Sequence, residues 1–405
     1  IFAQLLVGAL LFLLPLRSAG RRGVRPSPAP AQTRRLVGII LRNRRRIIAG
    51  TTCVSAALFI YSLGLEVNSD LVGYFHPDAP VRVASEFIDR TVGAARSFEV
   101  VVDAGQPEGV KDPTFVGKVD AFEHWLAAQP GVSRTLSVID ILSHVHRALH
   151  DGPKAEQRLP GDRDTLGLEL FLYTTGLPRG MDLHDRITQD GRALRITVLN
   201  TIATSREAVA MAARIEEEGR RRGLAVQVTG KYFLYQQVNE YMVPAFLKSL
   251  WSATLLVGVV MVVFLRSLRL GIISLIPNVV PVFAGGALLR AIGKPIDMGT
   301  MLVASTCLGI SIDDTSHVLA NYARLRRLGR SPNEAVSEVL TGIGPSLLST
   351  NAILIASFAS FMAATFMPNV YFGGLTAFIL SVALLADLFF TPALLANSDA
   401  QTGGE

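Results

Sequence analysis

The sequence predicts an α-helical multi-pass membrane bundle with an inserted α+β domain. Half of the 405 residues are hydrophobic, and the mean hydropathy is +0.38, too apolar for an ordinary soluble protein. Apolar runs long enough to cross a bilayer recur at both ends of the chain. Between them, residues 65–243 are polar and alternate strand and helix patterns.

Residues 1–16 carry no charge and read as the tail of a span cut within a transmembrane helix. With no charged leader and no Ala-x-Ala pattern, a signal peptide is not expected. Residues 17–46 hold ten arginines around the Pro-rich stretch RPSPAPAQ. Between two hydrophobic stretches, that charge marks a cytoplasmic linker by the positive-inside rule, not a nucleic-acid arm. Residues 47–64 form the next span and deliver the chain to the polar segment.

In that segment, residues 97–103 (SFEVVVD) read as a strand. Residues 113–129 read as a helix with Phe115, Val119, Phe122 and Leu126 on one face. A strand at 131–135 and a helix at 138–150 follow. Residues 192–200 alternate as a strand, 205–222 form a charged helix, and 224–229 (LAVQVT) a strand. Strand–helix–strand twice over predicts an α+β sandwich of ferredoxin-like type. Residues 151–190 read as a loop-rich insertion.

Residues 244–396 are expected to form a five-helix transmembrane bundle, with spans at 246–265, 270–291, 297–322, 345–366 and 370–395, and residues 397–405 a cytoplasmic tail. The helix after Gly230 runs straight into the first of these. Pro277, Asn278 and Pro281 lie at mid-depth in the second, where freed carbonyls are tolerated if neighbours satisfy them. Ser331-Pro332-Asn333-Glu334 has the form of a capping box and opens a short amphipathic helix. The last span contains Asp387 towards its inner end.

Charge fixes the sides. Residues 17–46, 266–269 and 322–344 fall on one side and carry ten, two and four Arg or Lys. The other side has Arg290 and Lys294 in a short loop, and a segment from 66 to 243 with 25 acids against 20 bases. Every turn obeys the positive-inside rule, which makes residues 65–243 periplasmic. The net charge of +6 is therefore a matter of topology. The two cysteines, Cys53 and Cys307, lie in apolar runs and offer no disulfide framework.

The span at 297–322 holds two adjacent carboxylates, Asp313 and Asp314. Asp313 precedes Arg324 by eleven residues, or roughly 16 Å along a helix, about half of a hydrocarbon core. An ionised carboxylate at that depth costs at least about 2.5 kcal/mol and is retained for a function. Two like charges side by side cannot both ionise cheaply. His317 shares their helix face, and Ser311 and Thr315 add hydroxyls. These groups predict a proton relay at Asp313 and Asp314. Asn351 is the one strongly polar group of the next span, and Thr350 precedes it in a run of small hydroxyl residues.

The stretches RSLRLGIISLIPNVVPV, IDMGTMLVASTCLGISIDDTSHVLANYARLRR, SPNEAVSEVLTGIGPSLLSTNAILIASFASF and GGLTAFILSVALLADLFFTPALL resemble the RND superfamily, in its MMPL and sterol-sensing-domain branch. The central motif is a glycine followed four residues later by an acid, here Gly309 and Asp313. In that family this helix carries the proton-coupling carboxylate. Many members place a Tyr after the motif Asp, whereas here Asp314 follows; several relatives have His where this chain has His317.

The resemblance implies a proton-motive-force-driven exporter of lipid-like or hydrophobic substrates in the bacterial inner membrane, with the proton gradient in place of any cofactor. Its outer domain would be of porter type. The family's full chain has two similar halves, and this sequence matches the second. The implied partners are the N-terminal half of the same transporter, a hydrophobic substrate, membrane lipids and further copies of the chain. Two other readings remain open: a sterol-sensing-like lipid sensor or scaffold without transport, and a protein-export accessory subunit.

An enzyme is not expected, since the sequence has no GxSxG, P-loop or dinucleotide fingerprint. His146 and His150 stand one helical turn apart, the spacing of a metal pair. Neighbouring sequence offers no Cys and no acid beyond Asp151 to complete it, so no metal site is expected.

Overall fold

The computed structural model describes residues 31–68, 72–93, 96–150, 159–177, 183–202 and 204–398. The expected span at 1–16, the first part of the linker, Asp151 and the end of the tail lie outside them. Helix α1 is Ala31–Ser62, so residues 31–46 of the stretch read as a linker are helical. The reason is a buried apolar stripe under the arginines: Val37 and Ile40 are fully enclosed in a cluster shared with the far end of the bundle. Arg44 also donates from Nη1 to the Ala396 carbonyl at 2.8 Å.

The polar segment follows as α2 (Pro80–Val92), β1 (Arg96–Asp103), α3 (Pro113–Ala127), β2 (Val132–Leu136), α4 (Val138–Leu149), α5 (Arg163–Gly176), β3 (Ala193–Asn200), α6 (Ser205–Arg221) and β4 (Ala225–Thr229). The four strands lie in the order β2-β3-β1-β4, and every neighbouring pair is antiparallel. One face of β1 supplies Phe98, Val100 and Val102 to a core completed by Phe115, Val119, Phe122 and Leu126 of α3 and Met211 and Ile215 of α6. The other face is polar, with Glu99 accepting from Thr197 at 2.8 Å. The stretch read as loop-rich contains α5, whose Asp162 N-cap accepts from the Thr165 N–H at 2.8 Å.

Four helices among the described residues are long and apolar enough to cross a membrane: Lys231–Leu265, Leu268–Ala291, Gly344–Ala363 and Met367–Asn397. The first is α7, one unbroken helix from the sheet into the bundle, with Pro244 inside it. The second is α8 (Leu268–Ala291). Helix α9 (Met298–Arg327) carries the two aspartates; their charge lowers its hydropathy, yet it packs among α7, α8 and the later α12. Helix α10 (Pro332–Gly342) opens with the Ser331–Glu334 capping box. Helix α11 (Gly344–Ala359) ends in a 3₁₀ turn, Ser360–Ala363. Helix α12 (Met367–Leu385) passes through a π-turn, Ala386–Phe390, into α13 (Thr391–Ser398).

The core under the sheet holds a titratable group. Glu123 of α3 is buried and accepts from the Ser137 hydroxyl at 2.5 Å, while its other oxygen has no hydrogen-bond partner among the described residues. Burial pushes its carboxyl from the ordinary 4.5 up to about 7. Between those values the folded state holds a proton that the unfolded chain has released. Stability from this group is therefore highest below pH 4.5 and falls as the pH rises to 7, by up to about 3 kcal/mol. Glu123→Gln should remove that fall: thermal unfolding of the variant should differ less between pH 5 and pH 8 than that of the wild type. An unchanged difference would assign the pH dependence to other groups.

Candidate functional site

Helix α9 is fixed at both ends by local chemistry. Asp297 caps its start, accepting from the Thr300 N–H at 2.8 Å while its own N–H donates to the Thr300 hydroxyl at 2.9 Å. Arg324, Arg326 and Arg327 occupy the last turn, where positive charge suits the helix dipole. Asp314 falls near the midpoint of the helix.

Consecutive residues of a helix point about 100° apart, so the two acids part company. Asp314 turns inward and is half-buried; its Oδ2 accepts from Asn351 Nδ2 of α11 at 2.7 Å. Asp313 turns outward. Its side chain is 75% exposed, and its Oδ1 lies 3.8 Å from Nε2 of His317, which is exposed on the same stripe. Gly309 continues that stripe, and a Cβ there would meet nothing within 4 Å.

The next residue, Thr315, is buried and leads to a second carboxylate. Its hydroxyl donates to Asp387 Oδ1 at 2.8 Å and lies 3.4 Å from Asn278 Oδ1. Ser311 donates to the same Asn278 oxygen at 2.5 Å. Thr391 donates to Asp387 Oδ1 at 3.1 Å. Asp387 is 1% exposed, sits in the π-turn and leaves Oδ2 without a hydrogen-bond partner among the described residues. Such turns are rare and frequent at functional sites. An unsatisfied buried polar atom costs about 1–3 kcal/mol, so the position is kept against stability.

Of the residues expected from sequence, Ser311 and Thr315 therefore meet Asn278 and Asp387 inside the bundle, and Asp314 pairs separately with Asn351. Asp313, His317 and Gly309 stay on its outer face. Thr350 bonds its own helix, donating to the Ser346 carbonyl at 2.9 Å, and does not join. Asp387 and Asn278 were not expected in the site. Asp387 carried a usable signal, since an acid within an apolar span is functional by default; Asn278 was read only with its flanking prolines.

Residues 182–399, which include every group of this cluster, match the model of the MMPL family. The chain belongs to the MMPL family. This MMPL chain is 23% identical over 294 residues to a membrane protein of Methanocaldococcus jannaschii, covering 71% of each. It is 31% identical over 172 residues to the toluene efflux pump membrane transporter TtgE of Pseudomonas putida, covering 40% of this chain and 16% of the pump. It is 29% identical over 162 residues to the multidrug export protein AcrF of Escherichia coli, covering 37% of this chain and 15% of that protein. The match thus spans about a sixth of these pumps' length, and the MMPL chain falls on the RND branch that its motifs suggest.

Proposed function

We propose that this chain is the second half of an RND-type exporter that uses the proton gradient to move lipid-like or hydrophobic molecules out of the bacterial inner membrane. The observation that carries the reading is the pair of bonds α9 makes from consecutive mid-helix positions: its own carboxylate Asp314 accepts from Asn351, and Thr315 donates to the carboxylate of Asp387. A carboxylate only accepts hydrogen bonds, whereas its protonated form can also donate. A proton arriving at Asp314 or Asp387 changes which of the bonds to Asn351, Thr315 and Asn278 can persist. That choice selects between two packings of α9 against its neighbours.

In this reading residues 65–243 are a periplasmic, ferredoxin-like porter unit, supported by the strand order β2-β3-β1-β4. Residues 244–396 are the membrane bundle, preceded by a span at 47–64 and followed by a cytoplasmic tail. The outward stripe of Gly309, Asp313 and His317 is the face on which the N-terminal half packs. Charged groups on such a face need a polar partner or water in place of lipid.

The test uses everted membrane vesicles carrying the transporter and a fluorescent hydrophobic dye. Asp313→Asn/Asp314→Asn should abolish gradient-dependent dye movement while the amount inserted stays at the wild-type level. Dye movement at the wild-type rate in that variant refutes the relay. Movement indifferent to the gradient in the wild type refutes the energy source and leaves a lipid sensor or scaffold.

A further inference from the structure

Helices α4 and α5 of the outer domain bring together two histidines and a carboxylate that the membrane relay does not use. His146 lies in the last turn of α4 and His150 is the C-cap that follows it, with ring centroids 4.4 Å apart. Glu169 of α5 lies beneath them, with its Oε1 2.6 Å from His146 Nδ1 and 3.9 Å from His150 Nδ1. The acid that the neighbouring sequence lacks thus arrives from the next helix. One ligand atom from each residue lies within 4.8 Å of the others.

We propose that His146, His150 and Glu169 form a binding site for a divalent transition cation, zinc above all, that clips α4 to α5. Glu169 is 2% exposed, and its Oε2 is buried without a hydrogen-bond partner among the described residues. A His–Glu ion pair alone would explain the bond to His146. It would explain neither the idle second oxygen nor a second ring brought over the same carboxylate.

Imidazole and carboxylate ligands bind zinc at about 2.0–2.2 Å in tetrahedral geometry. Two such ligands therefore stand roughly 3.3 Å apart, between the two nitrogen–oxygen separations seen here. Closure onto the metal needs His146 to give way slightly and His150 to release its bond to the His146 carbonyl at 3.0 Å. Two histidines and one glutamate leave a fourth tetrahedral position for water or another donor. His150 is exposed, so the cation has an open approach.

The test is zinc binding to the full chain, purified in detergent without a histidine tag, by calorimetry and by metal analysis after dialysis. One zinc per chain is expected, with a dissociation constant below about 1 μM. His150→Ala, at an exposed position, should bind at least about tenfold more weakly, and Glu169→Gln likewise. His144→Ala, an exposed histidine on the same helix, should bind as the wild type does. Cobalt in place of zinc should give the strong visible bands of a four-coordinate ion, lost in His150→Ala. A wild type that retains no zinc, a His150→Ala variant of unchanged affinity, or equal weakening by His144→Ala would overturn the proposal.

Discussion

Asp387→Asn is expected to slow the proposed gradient-driven export on the order of 100-fold, the scale on which a positioned proton-transfer group acts. The substitution keeps the shape of the side chain and an oxygen to accept from Thr315 and Thr391, whose bonds to Asp387 measure 2.8 and 3.1 Å. It removes only the ability to load and release a proton. Folding and insertion should be unaffected, as an immunoblot of the vesicle membranes would show. Initial rates of dye movement in those vesicles measure the effect. A loss of less than about threefold, far below the range for such groups, would mean that Asp387 only fastens the π-turn to α9.

Phe98→Ala should destabilise the α+β domain by about 3–5 kcal/mol. The ring is fully buried and lies 5.9 Å from Tyr232 and 6.0 Å from Phe233, centroid to centroid. Both partners belong to the first turn of α7, so the cavity would open where the sheet meets the helix that enters the membrane. A domain is stable by only about 5–15 kcal/mol, so this loss should lower its unfolding temperature by about 10 °C. Limited proteolysis on heating should then cut between residues 96 and 230 first. Cleavage at the wild-type temperature would show that the site relaxes around the missing ring.

Local patterns carried much of this architecture. The Ser331–Glu334 capping box closes as its spacing suggests, with both reciprocal bonds made. The apolar face of α3 is the one that is buried, because period and burial agree there. Helix α5 was unreadable because its burial runs against type: Glu169 is buried, while Leu168 and Phe171 are exposed. The start of α1 was hidden by arginines that mask the Val37 and Ile40 stripe. In the bundle, spacing marks Asp313 and Asp314 as neighbours but not which one faces inward. That depends on the rotation of α9 against α8 and α12, a tertiary quantity. The bond from Thr315 to Asp387 joins residues 72 apart in sequence, and no local pattern encodes it.

Helix α7 runs for 35 residues, continuing through Pro244, or about 52 Å. Its first turn is held by Phe98, and its far end lies beside α8 and α9. Over that length small angles are amplified: a tilt of about 5° at one end, carried through Pro244, moves the other by roughly 4.5 Å, given the rise per residue of a helix. A rearrangement too small to disturb the side-chain contacts around Asp314 would still arrive at β1 as a displacement wider than a water molecule.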